Sequence, residues 1–397
     1  MNLLRELFLK YIGQTSTTPY LLEIEKSDGV FLYTPQGEKL FDLISGVSVS
    51  SLGHNFKQVV EAVKKQIESY SHLMVYGEYI QTPQVKLAEY LVKMLPEKLN
   101  NVYFVNSGSE AVEAALKLAK RYTGKTRIVS FKNAYHGSSH GALSLCGNEN
   151  FKNSFRPLLP EVYHIQPDNF AELDIIDKNT ACVIFEPVMA EAGIFIPSKE
   201  YIIELVKRCK KNNCLVIVDE IQTGFGRTGD MFGFLHYNFV PDIVCFAKAF
   251  GGGMPLGAIV ANKEVMHAFT SNPVLGHITT FGGHPVCCAA SFEAIKYINE
   301  SGIVLQVSQK EKLFRDLLSG NKHIKEIRGR GLLLAVELGD RDKILKLVRK
   351  GLEIGFVTDW FIFHDTAFRI APPLTISNQE IEQVCDLIKK ALAEIFS

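Results

Sequence analysis

Cys214-Leu215-Val216-Ile217-Val218-Asp219 and Ile243-Val244-Cys245-Phe246-Ala247-Lys248 are two apolar runs that each close on a single charged residue. A run that is apolar at every position, rather than at every second one, reads as a strand covered on both faces, as in a parallel sheet. Working outward, the same pattern recurs at 101–105, 127–131 and 181–185, with helical stretches at 111–122 and 201–211 between the runs. Short apolar runs alternating with helices over residues 100–260 predict an α/β fold on a mostly parallel sheet.

The flanks differ. Val30-Phe31-Leu32-Tyr33 and Lys39-Leu40-Phe41-Asp42 enclose Pro35-Gln36-Gly37, a turn signal that predicts a hairpin. After about residue 290, amphipathic helices, an apolar strand at 331–337 and a last helix from Asn378 predict a smaller α+β domain. The expected division is an N-terminal segment 1–45 that joins the small domain, a large domain 46–288 and a C-terminal small domain 289–397. Lys plus Arg and Asp plus Glu each number 43, so no net charge draws in a phosphate backbone, and nucleic acid is not expected as a partner. The eight cysteines lack paired C-x-x-C spacing, so no metal site is expected and the thiols read as free ones in a reducing compartment. Without an apolar run long enough for a signal or a membrane span, a cytoplasmic protein with no membrane contact is expected.

Open α/β sheets bind ligands beyond the carboxyl ends of their strands, so the residue after each run carries the chemistry. Those residues are Asn106-Ser107-Gly108-Ser109-Glu110, Tyr135-His136-Gly137, Glu186, Asp219 and Lys248. Ser107-Gly108-Ser109 opening a helix offers backbone N–H groups, hydroxyls and a positive dipole end for a phosphate, although Ser107-x-x-Glu110 is equally a capping box. Asp219 at a buried strand end needs a cation or donors opposite it, or serves only as a helix cap or structural ion pair. Lys248, among apolar residues and before Gly251-Gly252-Gly253, is placed to lose its proton and act as a nucleophilic amine; the alternative is a lysine whose head reaches solvent. A lysine, an acid and a phosphate cradle at one sheet edge favour pyridoxal phosphate over a nucleotide, for which G-x-G-x-x-G and a phosphate-loop lysine are missing.

These residues resemble the class III, or ω-amino-acid, aminotransferases, a branch of the fold type I pyridoxal-phosphate enzymes. The most specific stretch is Asp219-Glu220-Ile221-Gln222-Thr223-Gly224-Phe225-Gly226-Arg227-Thr228-Gly229, followed by Lys248 in Ala-Lys-Ala-Phe-Gly-Gly-Gly-Met-Pro-Leu-Gly. The resemblance implies that Lys248 holds the cofactor as a Schiff base and shuttles the substrate proton. It implies that Asp219 pairs with the ring nitrogen, and that Ser107, Gly108 and Ser109 cradle the phosphate. Tyr135 and Ile221 then cover the two ring faces, Gln222 lies by the phenolic oxygen, and His136 and Glu186 complete the wall. Thr280 is implied to reach the phosphate of a neighbouring subunit, which makes a homodimer. Arg369 is implied to grip the carboxylate of glutamate or 2-oxoglutarate, and Glu191 to neutralise it when a donor without that carboxylate binds.

The chain also departs from the pattern. Ser138 stands where acetylornithine-type relatives carry an arginine, Ala190-Glu191-Ala192-Gly193 replaces Gly-Glu-Gly-Gly, and Val112 replaces a frequent Asn. Ser138 leans the donor toward a diamine, with ornithine and N-acetylornithine retained and Lys132 or Arg156 as substitute cations. The expected reaction moves a donor's terminal amine to 2-oxoglutarate by a ping-pong route, giving an aldehyde and glutamate. A racemase or aminomutase on the same scaffold, and a non-catalytic cofactor-binding protein, are the alternatives.

Overall fold

Residues 3–397 are described by a computed structural model. Its centre is a seven-stranded sheet in the order Asn101–Val105, Gly257–Ala261, Ile243–Phe246, Leu215–Asp219, Thr180–Phe185, Arg127–Phe131, Val162–Ile165. Gly257–Ala261 is antiparallel to both neighbours and the remaining pairings are parallel, so the carboxyl ends of the other strands share one edge. Successive side chains leave opposite faces of a strand, and the core divides accordingly. Val183, Phe185, Val216, Val218, Val244 and Phe246 pack into one buried cluster, and Cys182, Ile184, Ile217, Ile243 and Cys245 into another. Both faces are therefore dry, which is why these strands show no alternation with polar residues.

The helix Gly108–Thr123 covers one face with Ala111, Val112, Ala115, Leu118 and Ala119, and ends on Gly124 in the left-handed region at φ 68°. Its small side chains let it lie close to the sheet. Lys199–Lys211 covers the other face through Tyr201, Ile202, Leu205 and Cys209.

Near the N-terminus, Phe31–Tyr33 and Lys39–Asp42 form the antiparallel pair around Gly37, and Lys26–Asp28 adds a third strand. Lys39–Asp42 also pairs in parallel with Phe356–Val357, so this sheet unites the two ends of the chain. A further antiparallel sheet orders Glu326–Arg330, Leu333–Glu337, His364–Ile370 and Trp360–Phe361. It delivers Arg369 opposite Ala335. No helix among the described residues is long and apolar enough to cross a membrane.

Candidate active site

The carboxyl edge of the large sheet opens into a cavity of about 510 Å³, lined in part by Ser107, Gly108, Ser109, Tyr135, His136, Glu186, Asp219, Ile221, Gln222 and Lys248. Eight residues from the strand ends, together with Ile221 and Gln222 from the family resemblance, thus meet in one place. Ser107 caps its helix, its Oγ accepting from Glu110 N at 3.2 Å. The capping box is only half formed, because the Glu110 carboxylate accepts from Asn106 N at 2.8 Å instead of reaching back to the cap residue. Ser109 Oγ accepts from Ser138 N at 3.2 Å, which ties the helix start to the 135–138 loop. Two glycines keep this corner open. A methyl on Gly108 would stand 3.0 Å from Ile221 Cδ1, and one on Gly137 only 2.1 Å from Ser109 Oγ.

Asp219 is buried at the end of its strand and faces His136. Its Oδ2 lies 2.6 Å from His136 Nδ1, and its Oδ1 accepts from Ile221 N at 3.0 Å. Burial alone would drive the His136 imidazole to its neutral form; the hydrogen bond and charge of Asp219, with Glu186 behind it, raise its pKa above the ordinary value. Glu186 accepts from Tyr135 N at 3.1 Å and Ala190 N at 3.3 Å, and burial pushes its carboxyl up to about 7.

Lys248 follows the strand Ile243–Phe246 in the left-handed region, at φ 50°, a conformation that non-glycine residues rarely hold without surrounding constraint. The constraint comes from Gly252, where a methyl would meet Ala294 Cβ at 2.8 Å and Ala290 O at 2.9 Å, so the turn is pressed on the helix Pro285–Glu300. Nζ then donates to Gln222 Oε1 at 2.9 Å. Burial lowers the amine's pKa, and the charges of Glu191 and Asp219 partly offset that shift.

Arg369 is 1% exposed. Its Nη2 donates to both Glu191 oxygens, at 3.0 and 3.2 Å, its Nε to Asp359 Oδ1 at 2.9 Å, and its guanidinium carbon lies 4.7 Å from the centre of the Phe361 ring. Asp359 was absent from the sequence reading. It follows the two-residue strand Phe356–Val357, too short a run to be recognised, although a residue beyond a strand's end is where the other site residues were found. Burial pushes its carboxyl up to about 6 despite the arginine.

Four expected residues, Arg369, Glu191, Ser138 and Thr280, are not among those that line this cavity. Ser138 is exposed at the rim, its Oγ 3.2 Å from Tyr135 OH. Thr280 is exposed and does not line this chain's cavity; its neighbour Thr279 is the one held, accepting from Asn106 Nδ2 at 2.7 Å. Lys132 pairs with Glu172 at 3.6 Å and Arg156 with Glu149 at 2.7 Å, so both substitute cations are engaged. Val112 is fully buried under its helix and takes no part in the cavity wall.

The wall suits a planar, phosphate-bearing heteroaromatic aldehyde. Gln222 Nε2 and His136 Nε2 are buried without a protein partner, which in a folded interior marks a donor reserved for something else. An amine, a carboxylate on a strand end and a helix N-terminus complete the set that such a molecule needs.

Comparison with known proteins agrees. The family model "Aminotransferase class-III" matches residues 12–392. The acetylornithine aminotransferase of Methanopyrus kandleri is 38% identical over 393 residues, covering 98% of this chain and 97% of that one. The [LysW]-aminoadipate semialdehyde/glutamate semialdehyde transaminase of Sulfurisphaera tokodaii is 33% identical, covering 94% and 95%. The ornithine aminotransferase of Toxoplasma gondii, with pyridoxal phosphate (PLP) at partial occupancy in its active site, superposes with a TM-score of 0.90 at 28% identity over 98% and 94% of the two chains. With a family match over nearly the whole chain, a shared fold and a cavity furnished for the cofactor, the chain belongs to the class-III aminotransferases and is a PLP-dependent enzyme.

Proposed function

We propose that this enzyme moves the terminal amino group of a small donor, in the class of ornithine, N-acetylornithine or a diamine, to 2-oxoglutarate, leaving an aldehyde and forming glutamate. The observation that carries the reading is the meeting of Lys248 Nζ, the Asp219 carboxylate and the 107–109 helix start in one cavity, with the Arg369–Glu191 pair near enough to act on the charge of Lys248. When bound, PLP supplies an aldehyde that exchanges amines and a protonated ring that withdraws electrons from the substrate carbon. Asp219 would hold the proton on the ring nitrogen, with its carboxylate directed by His136 and Ile221 N. Ser107, Gly108 and Ser109 would bind the phosphate at the helix start, and Tyr135 and Ile221 would enclose the ring. Lys248 would be the residue that holds the cofactor, and its lowered pKa suits its amine to take a proton at the substrate carbon and return it. Gln222 holds the freed amine close by.

Arg369 favours a transaminase over a racemase or aminomutase, because a second, dicarboxylic substrate gives a buried guanidinium whose charge acts on Lys248 a carboxylate to bind. Exposed Thr280 supports a homodimer in which it completes the partner's phosphate site. Eight unpaired, buried cysteines support a reducing compartment, the cytoplasm. The test is borohydride reduction of the yellow enzyme followed by peptide mapping, with glutamate formation from an amine panel in parallel. A cofactor-derived mass on the Lys248 peptide and amine-dependent glutamate are expected. A label on another lysine, or no glutamate with any terminal amine, refutes the reading.

A further inference from the structure

Glu191 stands in a turn, 190–193, at the tip of a hairpin whose arms meet at the bridge between Met189 and Phe195. Val188, Ala190 and Ile194 share one buried cluster with Leu333, Ala335 and Ala367 of the sheet that carries Arg369. The turn is strained. Gly193 is left-handed at φ 78°, and Ile194 follows at φ 61°, a conformation that a β-branched residue holds only where its surroundings compel it.

Three residues outside the cofactor cavity supply that constraint. Arg328 Nε donates to Gly193 O at 2.6 Å, and the ring of His364 lies against Gly193, where a methyl would stand 2.6 Å from its Cγ. One carboxylate holds both side chains. Glu337 Oε2 accepts from Arg328 Nη2 at 2.9 Å and lies 2.5 Å from His364 Nε2, while Oε1 accepts from Gly339 N at 2.8 Å. Burial alone would raise the Glu337 pKa; the hydrogen bonds of His364, Thr366 and Arg328 bring it down to about 2, so the group stays ionised. On the other side of the turn, Phe363 N donates to Glu191 O at 3.0 Å and Ile362 N to Glu191 Oε2 at 3.1 Å. The turn is thus clamped at Gly193 as well as at Glu191, the residue that neutralises Arg369.

Resting on the proposed reaction, we propose that Arg328, Glu337 and His364 are positioning residues that hold Glu191 on Arg369, and so set how readily the arginine is freed for a dicarboxylic acceptor. With the clamp cut, the strained turn relaxes and Glu191 spends less time on the arginine. A ligand gains or loses affinity as the population that binds it changes. The acceptor then binds more tightly, whereas a donor that presents no carboxylate there meets a bare guanidinium and binds more weakly. The test compares Arg328→Met and His364→Ala with wild type, and takes Glu326→Gln as a control that removes only the exposed arm of Arg328. Initial rates give kcat/KM for 2-oxoglutarate and for the best amine of the panel. Titration of the holoenzyme's absorbance with glutarate, an unreactive dicarboxylate, gives a Kd independent of turnover. Each clamp variant is expected to lower the glutarate Kd and raise kcat/KM for 2-oxoglutarate by about fivefold, and to lower kcat/KM for the amine by as much, the lower end of the usual coupling between sites. Glu326→Gln should move none of them. A general loss of stability does not drive the two substrates in opposite directions. Constants that stay put or fall together in both clamp variants, or the same shifts in Glu326→Gln, overturn the assignment while leaving the transaminase reading intact. A wild type that neither binds glutarate nor forms glutamate refutes the acceptor, and the clamp's role with it.

Discussion

Arg369→Ala removes the single guanidinium that the buried Glu191 and the half-buried Asp359 share. Glu191 is 4% exposed and bonded to Nη2 through both oxygens, and Asp359 is bonded to Nε. With the arginine gone, these acids face each other with no cation between them, in a place where Asp359 already sits at about 6. Breaking a buried pair from one side costs about 3–5 kcal/mol. At about 2.1 cal/mol/K of unfolding entropy per residue, a chain of 397 residues converts that to a fall of about 4–6 °C in Tm. Removing Glu191 as well should return much of it, since the double variant strands one acid instead of two. In catalysis, a charge-assisted hydrogen bond contributes about 1.5–3 kcal/mol, so KM for 2-oxoglutarate should rise roughly 10- to 150-fold while KM for an amine donor changes far less. Calorimetric melting and initial rates with each substrate varied give both numbers. Arg369→Lys keeps the charge without the planar fork and reports the KM ratio if the alanine variant folds poorly. Equal losses with both substrates together with an unmoved Tm would refute the reasoning.

Mixing inactive Lys248→Ala with Thr280→Ala should regain activity above either parent, because one site of each hybrid dimer then has both native residues; full activity in an isolated monomer would end that idea. Glu186, ordinarily near 4.5 and raised to about 7, binds its proton more tightly in the folded chain, so its contribution falls as pH rises through that window. The stability gap between wild type and Glu186→Gln should therefore narrow by about 2–3 kcal/mol from pH 5 to pH 7, read by denaturant melts; a gap independent of pH would contradict the assignment. Gly137→Ala should loosen cofactor binding roughly 10- to 150-fold, measured by fluorescence titration of the apoenzyme, because the new methyl drives Ser109 Oγ out of place; unchanged affinity would remove Ser109 from the phosphate site.

The large sheet was legible because its strands are buried on both faces, and such burial leaves a continuous apolar run in the sequence. Val162–Ile165 escaped, since an edge strand carries Tyr163 toward solvent beside the polar His164, and its run is broken. Gly257–Ala261 escaped for another reason: its five residues are apolar, but they follow a glycine-rich turn, and direction is decided by non-local pairing with Asn101–Val105. That inserted strand matters to the site, because its first residue lies against the start of the helix at Ser107; a methyl on Gly257 would lie 2.5 Å from Ser107 O. Strand-end logic found Asp219 and Lys248 because each is the first polar residue after a run. It missed Asp359, and nothing local distinguishes that acid from a surface one until Arg369 arrives from a different strand.

The pairings around Arg369 also bear on how one cavity can serve two unlike substrates. In the resting arrangement Nη2 is neutralised by Glu191 and Nε by Asp359, so a donor without a carboxylate meets no uncompensated charge. Nη1, by contrast, is buried with no partner. A dicarboxylic acceptor therefore finds one donor already free and needs to displace only Glu191 to gain the second of an adjacent pair. Asp359 on Nε keeps the guanidinium plane in place meanwhile. Glu191 does not leave empty-handed, since its Oε2 also accepts from Ile362 N at 3.1 Å and retains that anchor if it turns away. On the proposed function, discrimination between the substrates thus rests on one carboxylate that alternates between the arginine and a backbone amide. The same residue accepts from Phe363 N at 3.0 Å through its carbonyl oxygen, which ties the 361–363 turn to the loop 190–193 that carries the arginine's partner. Substitutions in that loop should therefore move the KM for the acceptor, by disturbing the carboxylate that the acceptor must displace.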